Sequence, residues 1–371
     1  MTRYKPKKPR EIRTEMDLDF YAGSRALQQI RSGGLKSDDV QVMTGAAGGP
    51  KWLILGHLDR VIFSSWFKNR KKPLYLVGSS SGAWRFAMAT QTDPVAAVNR
   101  FEQAYIYQYY SKNPTPADIR REAVRILNDI MPAEAPDQIL SHPFLRLNMM
   151  AVRCKGPVAR ESKPVQMAGM LGAVALNIIH RRGLGFLFDR VLFHDPRDMP
   201  PFWEMDGISI QRVPLIRANL RQALMASGSI PLIMPGVTDI PGARPGTYRD
   251  GGVIDYHMDL PCSLDGGIVL FPHYTDRIIP GWLDKRIPWR KPSAANTADV
   301  LMICPSRSFL SALPYGKIPD RSDFQRFVGK DKTRVIYWQQ AADSGKRLAD
   351  AFMEAVLSDR IKKLVRPMPW T

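Results

Sequence analysis

The sequence predicts an α/β domain. Two observations carry that prediction. Short apolar runs suited to buried strands alternate with amphipathic helical stretches along most of the chain. Two of these strand–turn–helix units, beginning at Val40 and Leu74, lie about thirty residues apart, the usual span of one strand–helix–strand unit. The bulk numbers agree with a globular chain: 371 residues, 44% hydrophobic and 24% charged. That length suits one large domain with appended segments. The expected layout is a basic N-terminal arm and helix (1–36), a core (37–262) with a helical cap at about 93–145, and a C-terminal extension packed on the core (263–371).

The formal charge of +18 favours acidic partners: anionic membrane surfaces, nucleic acid or acidic substrates. Part of the excess sits in Arg3, Lys5, Lys7, Lys8, Arg10 and Arg13, interleaved with Pro6 and Pro9. Neither the aromatic-plus-basic signature of RNA-binding modules nor zinc-finger spacing occurs, which sets nucleic acid behind lipid. Cys154, Cys262 and Cys304 are few and widely spaced. They imply no disulfide framework or metal cluster and fit a reducing, cytoplasmic compartment. No apolar run follows the N-terminal basic residues, so no signal peptide is expected, and the most apolar helical stretch, 167–179, is too short to span a bilayer. Any membrane contact is then peripheral.

In chain order, Asp17 to Ile30 reads as a helix ended by Gly33 and Gly34. Val40 to Met43 reads as a buried strand and runs into Thr44-Gly45-Ala46-Ala47-Gly48-Gly49-Pro50-Lys51. Trp52 to Phe63 follows with helical spacing of Leu53, Leu55, Leu58, Val61 and Ile62. The glycine-rich loop matches neither a Walker loop nor a dinucleotide fingerprint. It is suited to a tight connection, a phosphate cradle, or backbone amides aimed at a developing oxyanion. Pro50 has no amide, so such donors come from Gly48, Gly49 or Lys51.

Leu74 to Val77 is the next strand, followed by Gly78-Ser79-Ser80-Ser81-Gly82 and a helix from Ala83 to Thr90. This is the pattern of a nucleophile elbow. A serine at the tip of that turn adopts an unfavourable backbone geometry, and glycines two residues either side remove side chains that would collide. Only Ser80 is flanked that way, by Gly78 and Gly82, which makes it the candidate nucleophile.

Helices are expected at 93–110, rich in tyrosine and phenylalanine, and at 116–131, as a packed layer or as a cap presenting aromatics to an acyl chain. Leu147 to Val152 and Val191 to His194 read as strands, and Met167 to Ile179 as a nearly all-apolar helix, buried by default or, in the sharper reading, in contact with lipid or lining an acyl channel. Leu220 to Ala226 is helical, and the small residues after it give a tight exit before Pro231 and Pro235. In Asp250-Gly251-Gly252 the aspartate is placed to take a serine proton if packing holds it within reach, the glycines allowing close backbone approach. Strands at 267–271 and 299–303, a Pro-rich basic surface loop at 278–292 and a long helix at 333–359 complete the chain.

Four stretches, in order, resemble the patatin-like phospholipases over roughly residues 40–256. They are Ala47-Gly48-Gly49-Pro50-Lys51, Gly78-Ser79-Ser80-Ser81-Gly82-Ala83, Ala226-Ser227-Gly228-Ser229-Ile230-Pro231 and Asp250-Gly251-Gly252. The resemblance implies a three-layer α/β/α sandwich with a mostly parallel central sheet. It also implies a cofactor-free serine lipid acyl hydrolase with a Ser80–Asp250 dyad, the Gly48, Gly49 and Lys51 amides as oxyanion donors, and an acyl ester such as a phospholipid as substrate. Ala47 and Trp52 stand where that family has glycine. Two other readings compete. One is an esterase with a Ser–Asp–His triad, for which His257 and His273 follow Asp250 in order. The other is a catalytically degenerate membrane-surface binding protein.

Overall fold

The computed structural model describes residues 16–205 and 207–370. The basic arm up to Arg13 lies outside the described residues. Ten strands form one sheet in the order β10-β1-β9-β8-β2-β3-β4-β5-β6, with β7 paired to β4. In chain order they are β1 (Leu18–Ala22), β2 (Val40–Gly45), β3 (Leu74–Ser79), β4 (Leu145–Cys154), β5 (Phe188–His194), β6 (Ile210–Pro214), β7 (Thr247–Asp250), β8 (Ile268–Pro272), β9 (Val300–Pro305) and β10 (Arg366–Pro367).

Pairing is parallel across β9-β8-β2-β3-β4 and antiparallel where β4 meets β5 and β7, and where β1 meets β9. The fold is therefore α/β with a mostly parallel central sheet flanked by helices. Its middle strands are buried on both faces and read as near-continuous apolar runs, the expected composition for parallel strands covered by helices.

The helices that matter for the site are α1 (Ser24–Gly33), α2 (Gly56–Val61), α3 (Ser81–Ala89), α4 (Pro94–Ile106), α5 (Pro116–Ile130), α6 (Ala135–Ser141), α7 (Lys163–Ile179) and α8 (Leu220–Gly228), with a long C-terminal helix at Asp331–Leu357. Arg85 of α3 donates twice to the Asp59 carboxylate of α2, at 2.7 and 2.6 Å, with both side chains buried. Removing one partner of such a pair leaves an uncompensated charge and costs about 3–5 kcal/mol. The pair thus fixes the helix behind the elbow.

Three expectations need correction. Asp17 to Ile30 is not one helix: Leu18–Ala22 is a strand and α1 starts at Ser24. The alternation of buried Leu18, Phe20 and Ala22 with half-buried neighbours has the strand period of two, which wins over helical spacing. Residues 263–371 are not an extension packed on the core, because β8 and β9 lie between β2 and β1 in the sheet and β10 closes its edge. Helix α7 is buried on one face only: Gly169, Met170 and Ala173 are covered, while Val165, Met167, Leu171, Val174, Ile178 and Ile179 are exposed. The stretch after the glycine loop does wind helically, but as a 3-10 turn (Gly49–Leu55), α2 and a π turn (Ile62–Trp66). Trp52 is buried and stacks on Phe101 with 4.2 Å between ring centroids.

Candidate active site

Strands β2 and β3 are parallel neighbours in register, Gly45 opposite Gly78, so both loops leave the same end of the sheet. Ligands of open parallel sheets bind at this carboxyl end. Ser80 follows β3 directly and caps the N-terminus of α3 with φ 53 and ψ −127. A positive φ in a non-glycine residue costs of order 1–3 kcal/mol and persists only where the surroundings impose it. Here the surroundings are close: a side chain at Gly78 would strike the backbone of Gly82 and Ala83, and one at Gly82 would strike the backbone of Gly45.

The Ser80 hydroxyl donates to Asp250 Oδ2 at 2.7 Å, and both residues are buried. Asp250 ends β7, whose antiparallel pairing sets it opposite Ala151 of β4. Its other oxygen accepts the Gly252 N–H at 2.8 Å. Gly251 lets this turn lie against Met150, where a side chain would strike the backbone. Burial raises the Asp250 carboxyl above the usual carboxylate range, and Arg321, the Ser80 hydrogen bond and the Gly252 amide pull it partly back.

The last turn of α8 and the residue after it hold both residues in place. Ser227 Oγ accepts the Ser80 N–H at 3.0 Å and donates to the Met150 carbonyl at 2.7 Å. The Ser229 carbonyl accepts the Asp250 N–H at 2.9 Å. Sequence patterns gave this stretch only a turn; what they could not show is that its two serines tie together two loops far apart in the chain.

Gly48 and Gly49 stand at the start of the 3-10 turn, Gly49 with φ +56. The first N–H groups of a helical turn have no acceptor within it, which leaves Gly48 and Gly49 without an intrahelical partner, while the Ala47 N–H donates to the Tyr256 carbonyl at 2.9 Å. The Tyr274 hydroxyl donates to the Ala47 carbonyl, and a side chain on Gly48 would meet the Tyr274 ring. His257 Nε2 lies 2.7 Å from the Tyr274 hydroxyl.

Two cavities meet at Ser80 and Asp250, sharing Ile230 and Arg321 in their walls. The larger, about 780 Å³, is lined by Ser80, Trp84, Phe101, Tyr105, Ile126, Met225, Ile233 and Phe324. The smaller, about 240 Å³, is lined by Gly48, Lys51, Asp250, Gly252, Tyr256, Lys285, Asp320 and Arg321. Lys51 Nζ lies 4.9 Å from the centre of the Tyr274 ring, and Lys285 Nζ 4.1 Å from that of Tyr256. Desolvation, with Lys51 and Arg321 adding to it, lowers the Lys285 ammonium to about 7.

The structure thus brings together Ser80, Asp250, Gly48, Gly49 and Lys51, with Gly78, Gly82, Gly251 and Gly252 supporting them. It does not assemble a Ser–Asp–His triad. His257 Nδ1 accepts the Ile279 N–H at 3.0 Å and its Nε2 faces Tyr274; His273 Nδ1 accepts the Thr275 N–H at 3.0 Å. Burial holds both histidines well below their ordinary pKa. Lys285, Arg321, Tyr274 and Phe324 were not expected. They come from loops and a region with no motif, and only the chain's path back to the sheet end reveals them.

No protein-family model matches the chain, and no curated protein matches it. Among solved structures it is similar to human GIVD cytosolic phospholipase A2, at TM-score 0.38 and 10% identity, covering 92% of this chain and 63% of that one. It is also similar to the type III effector protein ExoU, at TM-score 0.26 and 14% identity, covering 82% of this chain and 53% of that one. The chain spans less than two thirds of the length of either.

Proposed function

We propose that the chain is a serine acyl hydrolase acting on lipid carboxylic esters through a Ser80–Asp250 dyad. The observation that carries this reading is the 2.7 Å hydrogen bond from Ser80, held at positive φ on a strand–turn–helix, to a buried aspartate between an apolar and a cationic cavity. The four motifs in patatin-like order support it.

In the first half-reaction Ser80 Oγ attacks the ester carbonyl while Asp250 accepts the hydroxyl proton. The carbonyl oxygen becomes an oxyanion, received by the free amides at Gly48, Gly49 and Lys51. As the tetrahedral intermediate collapses, the bond to the alcohol oxygen breaks and Asp250 returns the proton to it. Water then attacks the acyl-serine, Asp250 takes the water proton, and collapse returns that proton to Ser80 and releases the acid. A carboxyl raised by burial is a stronger base than a solvated one, and it must be ionised to act, so the acid limb of the rate lies above the ordinary carboxylate value. The larger cavity receives the acyl chain, and the cations of the smaller one suit an anionic head group such as a phosphodiester.

The test is hydrolysis of a short chromogenic ester and of phospholipid vesicles by wild type, Ser80→Ala and Asp250→Asn. Both variants are expected to fold and to lose about 10³-fold in turnover. Activity surviving both changes would put the chemistry elsewhere.

A further inference from the structure

Helix α7 has an unusual outer face. From Pro164 to Ile179 it carries no charged residue, and its two amide side chains turn inward. Gln166 Oε1 accepts the Leu232 N–H at 2.6 Å, and Asn177 Nδ2 donates to the Asp284 carboxylate at 2.7 Å. What faces outward is apolar: Leu171 is 64% exposed and Ile179 82% exposed. Two more large side chains extend the patch. Phe186, 77% exposed, ends the 3-10 turn that packs back on α7, and Trp289, 68% exposed, precedes Arg290, which donates to the Asn177 carbonyl at 2.7 Å.

The rim of this patch is basic. Arg160 and Lys163 stand at the start of the helix, Arg182 just past its end, and Lys291 beside Trp289, all exposed. Glu161, near the start, is engaged by Arg249 at 2.7 Å. An apolar face with an interfacial tryptophan and a cationic border is the composition that partitions into the head-group region of anionic lipid. A second copy of this chain fits less well, because a two-fold contact would set this basic border against itself.

The position of the helix gives the patch a use. Leu232, tied to Gln166, adjoins Ile233 in the wall of the apolar cavity. Asp284, tied to Asn177, adjoins Lys285 in the wall of the cationic one. We propose that α7, Phe186 and Trp289 form a docking face for an anionic lipid surface, on a helix whose inner face is tied to segments walling both cavities. The docking part stands apart from the reading of Ser80, and the advantage it gives in turnover rests on that reading.

Co-sedimentation with phosphatidylcholine vesicles, with and without phosphatidylserine, tests it. Wild type is expected to bind the anionic vesicles more tightly, in a salt-sensitive way, with a blue-shifted emission that Trp289→Phe diminishes. Leu171→Asp combined with Ile178→Asp is expected to keep the melting temperature, since both positions are exposed and neither lines a cavity. It should weaken vesicle binding by about a hundredfold or more and slow hydrolysis of vesicle lipid, with soluble-ester turnover unchanged. Ser80→Ala should bind vesicles fully whatever its turnover, which separates failure of docking from failure of the catalytic reading. Vesicle binding by the double variant equal to wild type would overturn the proposal, as would absence of binding by wild type at low salt. A wild-type dimer that the double variant converts to monomer, without vesicle binding, would also overturn it and assign the face to a second copy.

Discussion

The two cavities that meet at Ser80 and Asp250 are built from different parts of the chain and differ in their lining, although Arg321 reaches both. The larger is walled by aromatic and aliphatic side chains from α3, α4, α5 and α8, with Phe324 from the C-terminal region. The smaller holds Lys51, Lys285 and Arg321, two of them resting their charge on tyrosine rings. An ester with an apolar acid part and an anionic alcohol part has the matching division. On the proposed reading the dyad carries the reaction and the substrate is selected on either side of it, mostly by residues outside the four motifs.

The largest expected effect separates the cavities by size. Ala123 is half-buried in the wall of the apolar cavity, and Ala123→Phe should fill part of it. Each methylene excluded from apolar surroundings forfeits about 0.8 kcal/mol, so long-chain esters should lose about thirtyfold or more in kcat/KM while acetate esters stay unchanged. Chain-length profiles of the two proteins measure this, and equal profiles would remove the acyl assignment.

A smaller effect tests the cationic side. Lys285→Gln should raise KM about tenfold for an ester with an anionic head group, and should leave a neutral ester of the same acyl chain unaffected. Because partial burial and the neighbouring cations lower the Lys285 ammonium to about 7, the wild-type preference for the anionic substrate should fade as pH rises through that value.

Arg321 faces both cavities, and its cation is one of the influences that lower the raised Asp250 carboxyl. Arg321→Gln should therefore move the acid limb of kcat/KM to higher pH, as a pH–rate profile reads directly. The smallest change is expected from His257→Gln and His273→Gln, which should stay within about threefold of wild type in turnover, their cost falling on stability through the Tyr274 contact. A triad base would instead lose several orders of magnitude.

Much of the centre of the fold was legible, because β2 and β3 run straight into glycine-rich loops and helices, and a strand, a tight turn and a helix each leave a local pattern. The order of the flanking strands was not. β8 and β9 read as strands, yet nothing local says that β8 lies against β2, since pairing between distant segments leaves no trace in a single sequence. Helix α7 was legible as a helix, but its apolar run left burial and lipid contact both open, and only the packing shows which face is covered. In the site, glycine spacing singled out Ser80 among three adjacent serines. The cations at Lys285 and Arg321 escaped notice because they sit in loops whose composition reads as solvated surface. Ser227 escaped because its two hydrogen bonds join segments 77 and 147 residues away.

The most direct measurement of the central claim is the intact mass of the protein after reaction with a fluorophosphonate, for wild type, Ser80→Ala and Asp250→Asn. One phosphonyl adduct is expected on wild type, mapped to the peptide containing Ser80, with none on Ser80→Ala and slow labelling of Asp250→Asn. An adduct on another residue, or equal labelling of wild type and Ser80→Ala, would contradict that claim.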